Sequence, residues 1–330
     1  METRPINTTA LKMTVVVPTF KRPHDLVRCL EALKRQLSPP HEVIVVVRED
    51  DTETWSALEG FAVEALPLKT QPVRVPGVVA AMNLGLETAT GDAIAFTDDD
   101  AAPHPDWLQR IEAHFTRDPA IGGVGGRDVI QNPKPWFLGS SEVVGQLQWY
   151  GRMVGNHHKG IGTAREVDIL KGVNMSFRRD AIGDLRFDSR MLGTGAQVHF
   201  EVAFCLAIKR RGWTLLYDPA VLVDHHLAQR FDEDQRYQFN DVAYFNLVHN
   251  ETLALADHFS PVQQVIFFLW ATLIGTRDAY GLAQMLRFFR RDGHIAWQKW
   301  LLAIKARFKG WQTCRQSQPL HPSCPMAQNL

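Results

Sequence analysis

The sequence predicts an α/β fold in which a mostly parallel sheet carries helices on both faces. Short, β-branched apolar runs alternate with segments whose leucines repeat at helical spacing. This alternation is typical of parallel strands joined by crossover helices. With 330 residues, 45% of them hydrophobic and 22% charged, the chain has the composition of an ordinary folded protein, with room for one large domain and an appendage.

The alternation is clearest in the first part of the chain. We predict strands at Met13–Val17, Val43–Val47 and Ala93–Phe96, and helices over His24–Gln36, around Asn83–Thr88 and over Trp107–Phe115. Ligands of such sheets bind beyond the carboxyl ends of the strands. The turns that follow the three strands should therefore meet at one edge: Pro18–Phe20, Arg48–Asp51 and Asp98–Asp100.

The later segments give a coarser prediction. The glycine-rich stretch from Gly122 to Gly195 reads as mostly irregular and as shaping a pocket. Val198–Arg211 has the pattern of a helix, followed by short strands at Trp213–Tyr217 and Val221–Val223, and the chain is predicted to be helical from Arg230 onward. We therefore expect a flexible segment 1–12, a catalytic domain 13–230, a helical region 231–315 and a disordered tail 316–330.

Charge is unevenly distributed, although the formal net charge is zero. From Arg277 to Arg315 there are nine Lys or Arg residues against two Asp, about +7, which leaves about −7 elsewhere. Phe259–Thr276 has no charged side chain, but its apolar core of about eleven residues is too short for a span. Five apolar and aromatic residues fall on one helical face that is flanked by Lys and Arg: Trp297, Trp300, Leu301, Ile304, Phe308. This pattern predicts a helix that anchors the protein at a membrane surface. The alternative is a helix packed on the catalytic domain.

The four cysteines show neither metal-ligand spacing nor a disulfide framework, which favours a reducing compartment. Met1 to Lys12 lacks the apolar core of a signal peptide. We expect a cytoplasmic protein, peripheral on the inner face of the cell membrane.

Three adjacent carboxylates, Asp98-Asp99-Asp100, follow the predicted strand Ala93–Phe96. Like charges this close do not all ionise cheaply unless a cation lies among them. Hard Mg²⁺ or Mn²⁺ prefers carboxylate oxygens and often bridges to phosphates of a ligand. The alternative is a solvated acidic turn, and the surrounding motifs favour the metal site.

These motifs, taken together, resemble the inverting, GT-A-type glycosyltransferases of family 2. The resemblance runs from about Met13 to Arg230 and rests on several segments in the family's order. They are Pro18-Thr19-Phe20-Lys21-Arg22, Pro76-Gly77 with Asn83-Leu84-Gly85, Phe96-Thr97-Asp98-Asp99-Asp100, Gly172-Val173-Asn174 with Arg178-Arg179, and Gly212-Trp213 with Tyr217-Asp218-Pro219 and His225.

The resemblance implies a role for each matching residue. It assigns Glu201 as the catalytic base and places metal ligands at Asp98, Asp100 and His225. Acceptor-binding positions are Gly172, Asn174 and Gly195. Donor-binding positions are Pro18, Thr19, Phe20, Arg22, Asp50, Asn83, Asp98 and Asp99.

Three departures from the family pattern bear on these roles. Glu201 stands where the family has the Asp of a Glu-Asp pair, and Phe200 stands at the Glu position. The second strand ends in Arg48-Glu49-Asp50-Asp51 instead of Asp-Asp-Gly-Ser, and Met82 replaces an Arg before the helix Asn. The nucleotide of the donor is therefore left open.

The implied activity is a metal-dependent, inverting hexosyl transfer from a nucleotide-diphosphate sugar to a hydroxyl of a glycan or lipid-linked acceptor, in polysaccharide or cell-surface glycan synthesis. The implied cofactor is Mg²⁺ or Mn²⁺, and we expect no nucleic-acid partner. Two rivals are a nucleotidyltransferase and a degenerate scaffold that binds a partner or membrane without turnover. The first is disfavoured because residues 18–22 contain no glycine. The second is disfavoured by the retained metal carboxylates.

Overall fold

A computed structural model of the chain describes residues 11–61, 66–236 and 238–316. Most of the predicted flexible N-terminus and all but one residue of the predicted disordered tail lie outside these ranges. The strands are β1 Met13–Thr19, β2 Glu42–Arg48, β3 Leu68–Val73, β4 Ala93–Thr97, β5 Ala101–Pro103, β6 Ile121–Ile130, β7 Gln146–Leu147, β8 Met153–Val154, β9 Arg165–Val167, β10 Asn174–Arg178 and β11 Thr214–His225. The helices are α1 Pro23–Lys34, α2 Thr52–Glu59, α3 Val78–Thr88, α4 Trp107–Arg117, α5 Arg179–Ile182, α6 Phe200–Arg210, α7 Asp241–Ala256, α8 Pro261–Leu273, α9 Leu282–Asp292 and α10 His294–Gln316.

Within these ranges one mixed sheet organises the chain, with strand order β3-β2-β1-β4-β10-β6-β11-β5 and β9 paired to β11. The strands β3, β2, β1 and β4 are mutually parallel. The strand β10 runs antiparallel between β4 and β6, and β6 is parallel to β11. The predicted α/β architecture with a mostly parallel sheet is confirmed.

Both faces of this sheet are buried, as parallel strands require. Along β1, Val16 belongs to one core cluster, whereas Val15 and Val17 belong to the other. Helices α1 and α4 cover the second face, and α3 and α6 cover the first. Alternate side chains of one strand thus anchor two layers of helices.

Most of Gly122–Gly195 lies outside strands and α-helices, as predicted, but the glycine run at its start forms the unpredicted strand β6. A Cβ on Gly123 would lie 2.6 Å from Leu215 Cδ2, and one on Gly125 would lie 2.8 Å from the Asn174 carbonyl oxygen. These glycines therefore allow neighbouring strands and side chains to approach closely. Because glycine has a low β-propensity, the local sequence did not predict this central strand. Its glycines are required by the packing of its neighbours.

Two later boundaries also differ from the prediction. The two short strands expected between Trp213 and Val223 are one strand, β11, whose pairing with β6 shifts register between Asp218 and Leu222. Helix was predicted from Arg230 onward, but the described residues between 226 and 240 form no helix. The next helix, α7, begins at Asp241, and the Asn240 side chain caps it by accepting from the backbone N–H of Val242.

The C-terminal helices are tied to the rest of the molecule by α7. Leu253 of α7 and Phe267 of α8 belong to the same core cluster as α6. Arg307 of α10 donates to Glu251 of α7 at 3.0 Å, and both side chains are almost fully buried. A buried charge is tolerated only while its partner is present.

We expect Glu251→Ala to lower the free energy of unfolding by about 3–5 kcal/mol, since it leaves the Arg307 guanidinium buried without its counter-ion. Urea denaturation would measure the change. Glu31→Ala is a matched control because Glu31, whose side chain is nearly half exposed, pairs with Lys34 on α1 at the same 3.0 Å. We expect a smaller loss there, below about 1 kcal/mol. Equal losses in the two variants would contradict the prediction.

Candidate functional site

A cleft of about 320 Å³ opens at the carboxyl ends of the parallel strands, where the sequence predicts the site. We call it the donor-edge cleft. Its walls are formed by the turn after β1, the segment after β4, the loop before α6 and the segment after β11. The predicted site residues that line it are Pro18, Thr19, Phe20, Arg22, Asp98, Asp99, Gly172, Gly195, Glu201 and His225.

The three aspartates after β4 have different surroundings. Thr19 donates its hydroxyl to Asp99 at 2.8 Å, and Arg22 donates to the other oxygen of Asp99 at 2.7 Å. Asp100 is fully buried and accepts from the backbone N–H of Ala228 at 2.9 Å. Asp98 is less buried than its two neighbours. The two carboxylates nearest the core are therefore held in place before any ligand binds.

A candidate metal cluster is formed by Asp98, Asp100 and His225, whose ligand atoms all lie within 4.8 Å of one another. Nε2 of His225 and Oδ1 of Asp100 lie 3.4 Å apart. Both atoms are buried, and neither has a hydrogen-bond partner among the described residues. Buried polar atoms are rarely left unpaired. Two carboxylates and an imidazole in this arrangement suit a divalent cation such as Mn²⁺ or Mg²⁺.

The pKa values of the three aspartates after β4 are shifted in different directions. Burial raises the pKa of Asp99 to about 7, against the opposing charge of Arg22. Burial and the nearby Asp100 also raise the pKa of Asp98. Burial acts to raise the pKa of Asp100 as well, but the neighbouring His225, Arg22 and Arg236 outweigh it and lower that pKa. The site thus concentrates negative charge on Asp100 and keeps cations around it.

Glu201 lies in the first turn of α6 and lines the cleft. Its Oε2 is buried and accepts no hydrogen bond among the described residues. Burial raises the pKa of this carboxyl group. A carboxylate with a raised pKa and a free oxygen in a cleft has the properties of a general base.

The loop that leads into α6 is held in an unusual backbone conformation. Gln197 and His199 both have positive φ, at 41° and 77°. The Gln197 side chain accepts from Val79 N at 3.0 Å and donates to the Met191 carbonyl oxygen at 2.7 Å, which fixes the loop to α3. Asp232 and Glu233 accept from the backbone N–H groups of Ala196 and Thr194. Sparsely populated backbone conformations of this kind cluster at functional sites.

Four residues that the resemblance marks do not line the cleft: Asp100, which is buried within the candidate metal cluster, and Asn83, Asn174 and Asp50. Asn83 bonds to the backbone of Phe187 with both ends of its amide, at 2.9 and 2.8 Å. The buried Asn174 accepts from Trp107 Nε1 at 2.9 Å and donates to the Val221 carbonyl oxygen at 2.9 Å. The Asp50 side chain is mainly exposed and pairs with Arg48 at 3.1 Å. Arg48 lines the cleft, with its guanidinium 5.1 Å from the Phe20 ring centre.

Several charged residues of the site were not predicted from the sequence, among them Arg236, Lys171 and Asp128. Arg236, which lies in the segment after β11, contacts Asp100 at 3.3 Å. Lys171 lines the cleft beside Gly172. Asp128 of β6 contacts Nδ1 of His225 at 3.3 Å. Lys171 directly precedes Gly172, a predicted acceptor-binding position, and that position could have pointed to it. Asp128 lies in β6, a strand that was not predicted.

Comparison with known proteins gives the family. Residues 14–186, just over half of the chain, match the family model described as "Glycosyl transferase family 2". A relative from Haloferax volcanii, named glucosyl-dolichyl phosphate glucuronosyltransferase, is 26% identical over 227 residues, which are 66% of this chain and 70% of that protein.

Solved structures agree with the fold. A mannosyltransferase from Pyrobaculum calidifontis, solved with GDP-Man and Mn²⁺, superposes with a TM-score of 0.55 at 20% identity and covers 94% of this chain and 83% of its own. The S. aureus TarS fragment 1–349 with UDP-GlcNAc gives a TM-score of 0.55 at 15% identity, covering 92% of each chain. The expected GT-A fold is thereby confirmed. From the family match over residues 14–186, we conclude that the chain is a glycosyltransferase belonging to glycosyl transferase family 2.

Proposed function

We propose that this glycosyltransferase is metal-dependent and inverting, and that it moves a hexosyl group from a nucleotide-diphosphate donor to an acceptor hydroxyl in one displacement. The observation that carries the proposal is the buried Oε2 of Glu201, which has no hydrogen-bond partner within the described ranges. Glu201 lines the same cleft as Asp98 and His225. The proposed base and these two metal ligands therefore border the same cleft, as a single displacement requires.

Asp98, Asp100 and His225 would hold the cation. Oδ1 of Asp100 and Nε2 of His225, which have no hydrogen-bond partner in the part of the chain that the structure describes, fit this role. When bound, a divalent cation supplies charge neutralisation to the leaving diphosphate. Arg22 and Arg236 lie around the same carboxylates and line the cleft, so their guanidinium groups add donors that suit phosphate oxygens.

Glu201 acts as general base in this mechanism. Its carboxylate accepts the proton of the acceptor hydroxyl as that oxygen bonds to the anomeric carbon. The bond between the anomeric carbon and the phosphate oxygen breaks on the opposite side, and the nucleoside diphosphate leaves with the bonding electron pair. Attack from the side opposite the leaving group inverts the anomeric configuration.

A thermal-shift screen tests the proposal. Purified protein is heated with UDP-, GDP- and dTDP-sugars, each with and without Mn²⁺. A ligand that binds only the folded state raises the melting temperature. We expect a shift with one nucleotide that needs Mn²⁺, and no shift with any donor would contradict the proposal.

The proposed acceptor is a glycan or a lipid-linked glycan. The Haloferax volcanii relative carries a dolichyl phosphate-linked sugar in its name, which supports a lipid-linked acceptor for this chain. We further propose that residues 13–230 form the catalytic domain and that the helices of 231–315 place it beside the lipid.

An apolar and basic surface supports this placement. No helix in the described part of the chain is long and apolar enough to span a bilayer. Helix α8 nevertheless exposes an apolar stripe, and α10 exposes a second one; the side chains are Val262, Val265, Leu269, Leu273, Trp297, Leu301, Ile304 and Phe308. Exposed cations accompany them on α9 and α10: Arg287, Arg290, Arg291, Lys305, Lys309. We name these residues the C-terminal surface.

Anionic lipid is the partner that we propose for the C-terminal surface. Apolar side chains beside Lys and Arg suit the interface of an acidic bilayer. A second copy of the chain is disfavoured, because a two-fold contact brings the same positively charged surface of both copies together. The surface then holds the enzyme at the membrane without a spanning helix.

We expect Val265→Glu with Leu269→Glu to reduce binding to phosphatidylglycerol vesicles at least about tenfold, since two charges enter the apolar stripe of α8. Flotation of the full chain with vesicles measures binding. Leu37→Glu is the control because Leu37 is as exposed as these residues but precedes β2. The account is wrong if wild-type protein fails to float with acidic vesicles, or if it dimerises through this surface instead.

A further inference from the structure

Asp128 is a fully buried carboxylate near the carboxyl end of β6. Its Oδ2 contacts two side chains at once: the ammonium group of Lys171 in an ion pair, and Nδ1 of His225 at 3.3 Å. An ionised carboxylate in the core needs such partners, because burial alone disfavours its charge. Lys171 and His225 in fact lower the pKa of Asp128 against the effect of burial.

The contact fixes which nitrogen of His225 faces the candidate metal cluster. Nδ1 points to Asp128, whereas Nε2 lies 3.4 Å from Oδ1 of Asp100 and has no hydrogen-bond partner among the described residues. A proton on Nδ1, donated to Asp128, leaves the lone pair of Nε2 free for a metal. Histidine ligands commonly have their second nitrogen held in this way.

Lys171 in turn holds Asp128. Its side chain is one-third exposed and lines the donor-edge cleft, so the ion pair extends from the cleft into the core. Lys171 precedes Gly172 and β10, whereas Asp128 and His225 lie on the paired strands β6 and β11. Three segments thus meet at one carboxylate oxygen.

We propose that Asp128 is a positioning residue for the metal, which holds the His225 ring with Nε2 toward Asp98 and Asp100 while Lys171 holds Asp128. This inference rests on the metal site of the proposed function. It adds a residue behind the ligands that touches neither the cation nor the donor. A carboxylate with only a structural role would leave metal affinity unchanged when replaced by its amide.

The test is the affinity of wild-type and variant protein for Mn²⁺ alone. The electron paramagnetic resonance signal measures how much Mn²⁺ stays free in the presence of each protein. We expect Asp128→Asn to weaken binding by about 10–100-fold, the range for residues behind metal ligands. Asp218→Asn is a matched control, since Asp218 is also a buried aspartate paired to a histidine, His114, at 2.7 Å. It should bind Mn²⁺ within about twofold of wild type.

A second measurement covers the case in which Asp128→Asn does not fold. Long-range ¹⁵N–¹H spectra of the wild-type, Mg²⁺-loaded chain report which imidazole nitrogen carries the proton, and His225→Gln identifies the His225 signals. We expect the proton on Nδ1. A proton on Nε2 overturns the inference.

The outcomes separate this inference from the proposed function. If wild-type protein binds Mn²⁺ and Asp128→Asn binds it equally well, the positioning role is overturned and the metal site stands. If wild-type protein binds no Mn²⁺, both are overturned.

Discussion

Replacing Glu201 by Gln should lower kcat by about 10²–10⁴-fold, the usual contribution of a general base. Glutamine keeps the size of the side chain but does not accept the proton of the acceptor hydroxyl. Donor binding should persist, because no metal ligand changes. The measurement is nucleoside diphosphate release in the presence of Mn²⁺, together with the thermal shift given by the donor.

The control for this variant is Glu59→Gln, an exposed glutamate at the end of α2. The pH profile gives a further check. Because burial raises the pKa of Glu201, activity of the wild type should fall as pH drops through a value above that of an ordinary glutamate. The remaining activity of Glu201→Gln should lack this decline. Unchanged turnover in the variant means that Glu201 is not the base.

Replacing Asp98 by Asn should reduce turnover by at least about 10²-fold, the scale for losing one group that stabilises developing charge. Asp98 is the least buried carboxylate of the candidate metal cluster, so the amide should fold with little loss of stability. Unlike Glu201→Gln, this variant should also lose the Mn²⁺-dependent thermal shift with donor.

Chelation provides an independent test of the same site. EDTA should abolish turnover by wild-type protein, and added Mn²⁺ or Mg²⁺ should restore it. The control for Asp98→Asn is Asp180→Asn, which changes an exposed aspartate in the first turn of α5 and should behave as wild type. Full activity after chelation would exclude the metal-dependent mechanism.

Sequence alone predicted those parts of the fold whose local signals are strong. Buried β-branched runs gave β1 and β2, and leucine spacing gave α1, each within one or two residues at either end. The meeting of Thr19, Arg48 and Asp98 at one edge followed from the parallel order of β1, β2 and β4. These features depend on short segments and on one general property of parallel sheets.

The missed features depend on contacts between distant segments. Strand β6 is glycine-rich because its neighbours leave no room for a Cβ, and no local propensity reports that. Asp128 and Arg236 act on His225 and Asp100 across 97 and 136 positions of the chain. Asn83 and Asn174 match family motifs, but their amides are occupied by backbone or indole partners that the sequence does not reveal.

The stereochemistry of the first sugar released tests the central claim most directly. With the donor from the thermal-shift screen, Mn²⁺ and no acceptor, water reaches the anomeric carbon slowly, and proton NMR records which anomer forms before mutarotation. The account predicts the anomer opposite to that of the donor, and Glu201→Gln should suppress its formation. Initial release of the same anomer as the donor would contradict an inverting enzyme with Glu201 as its base.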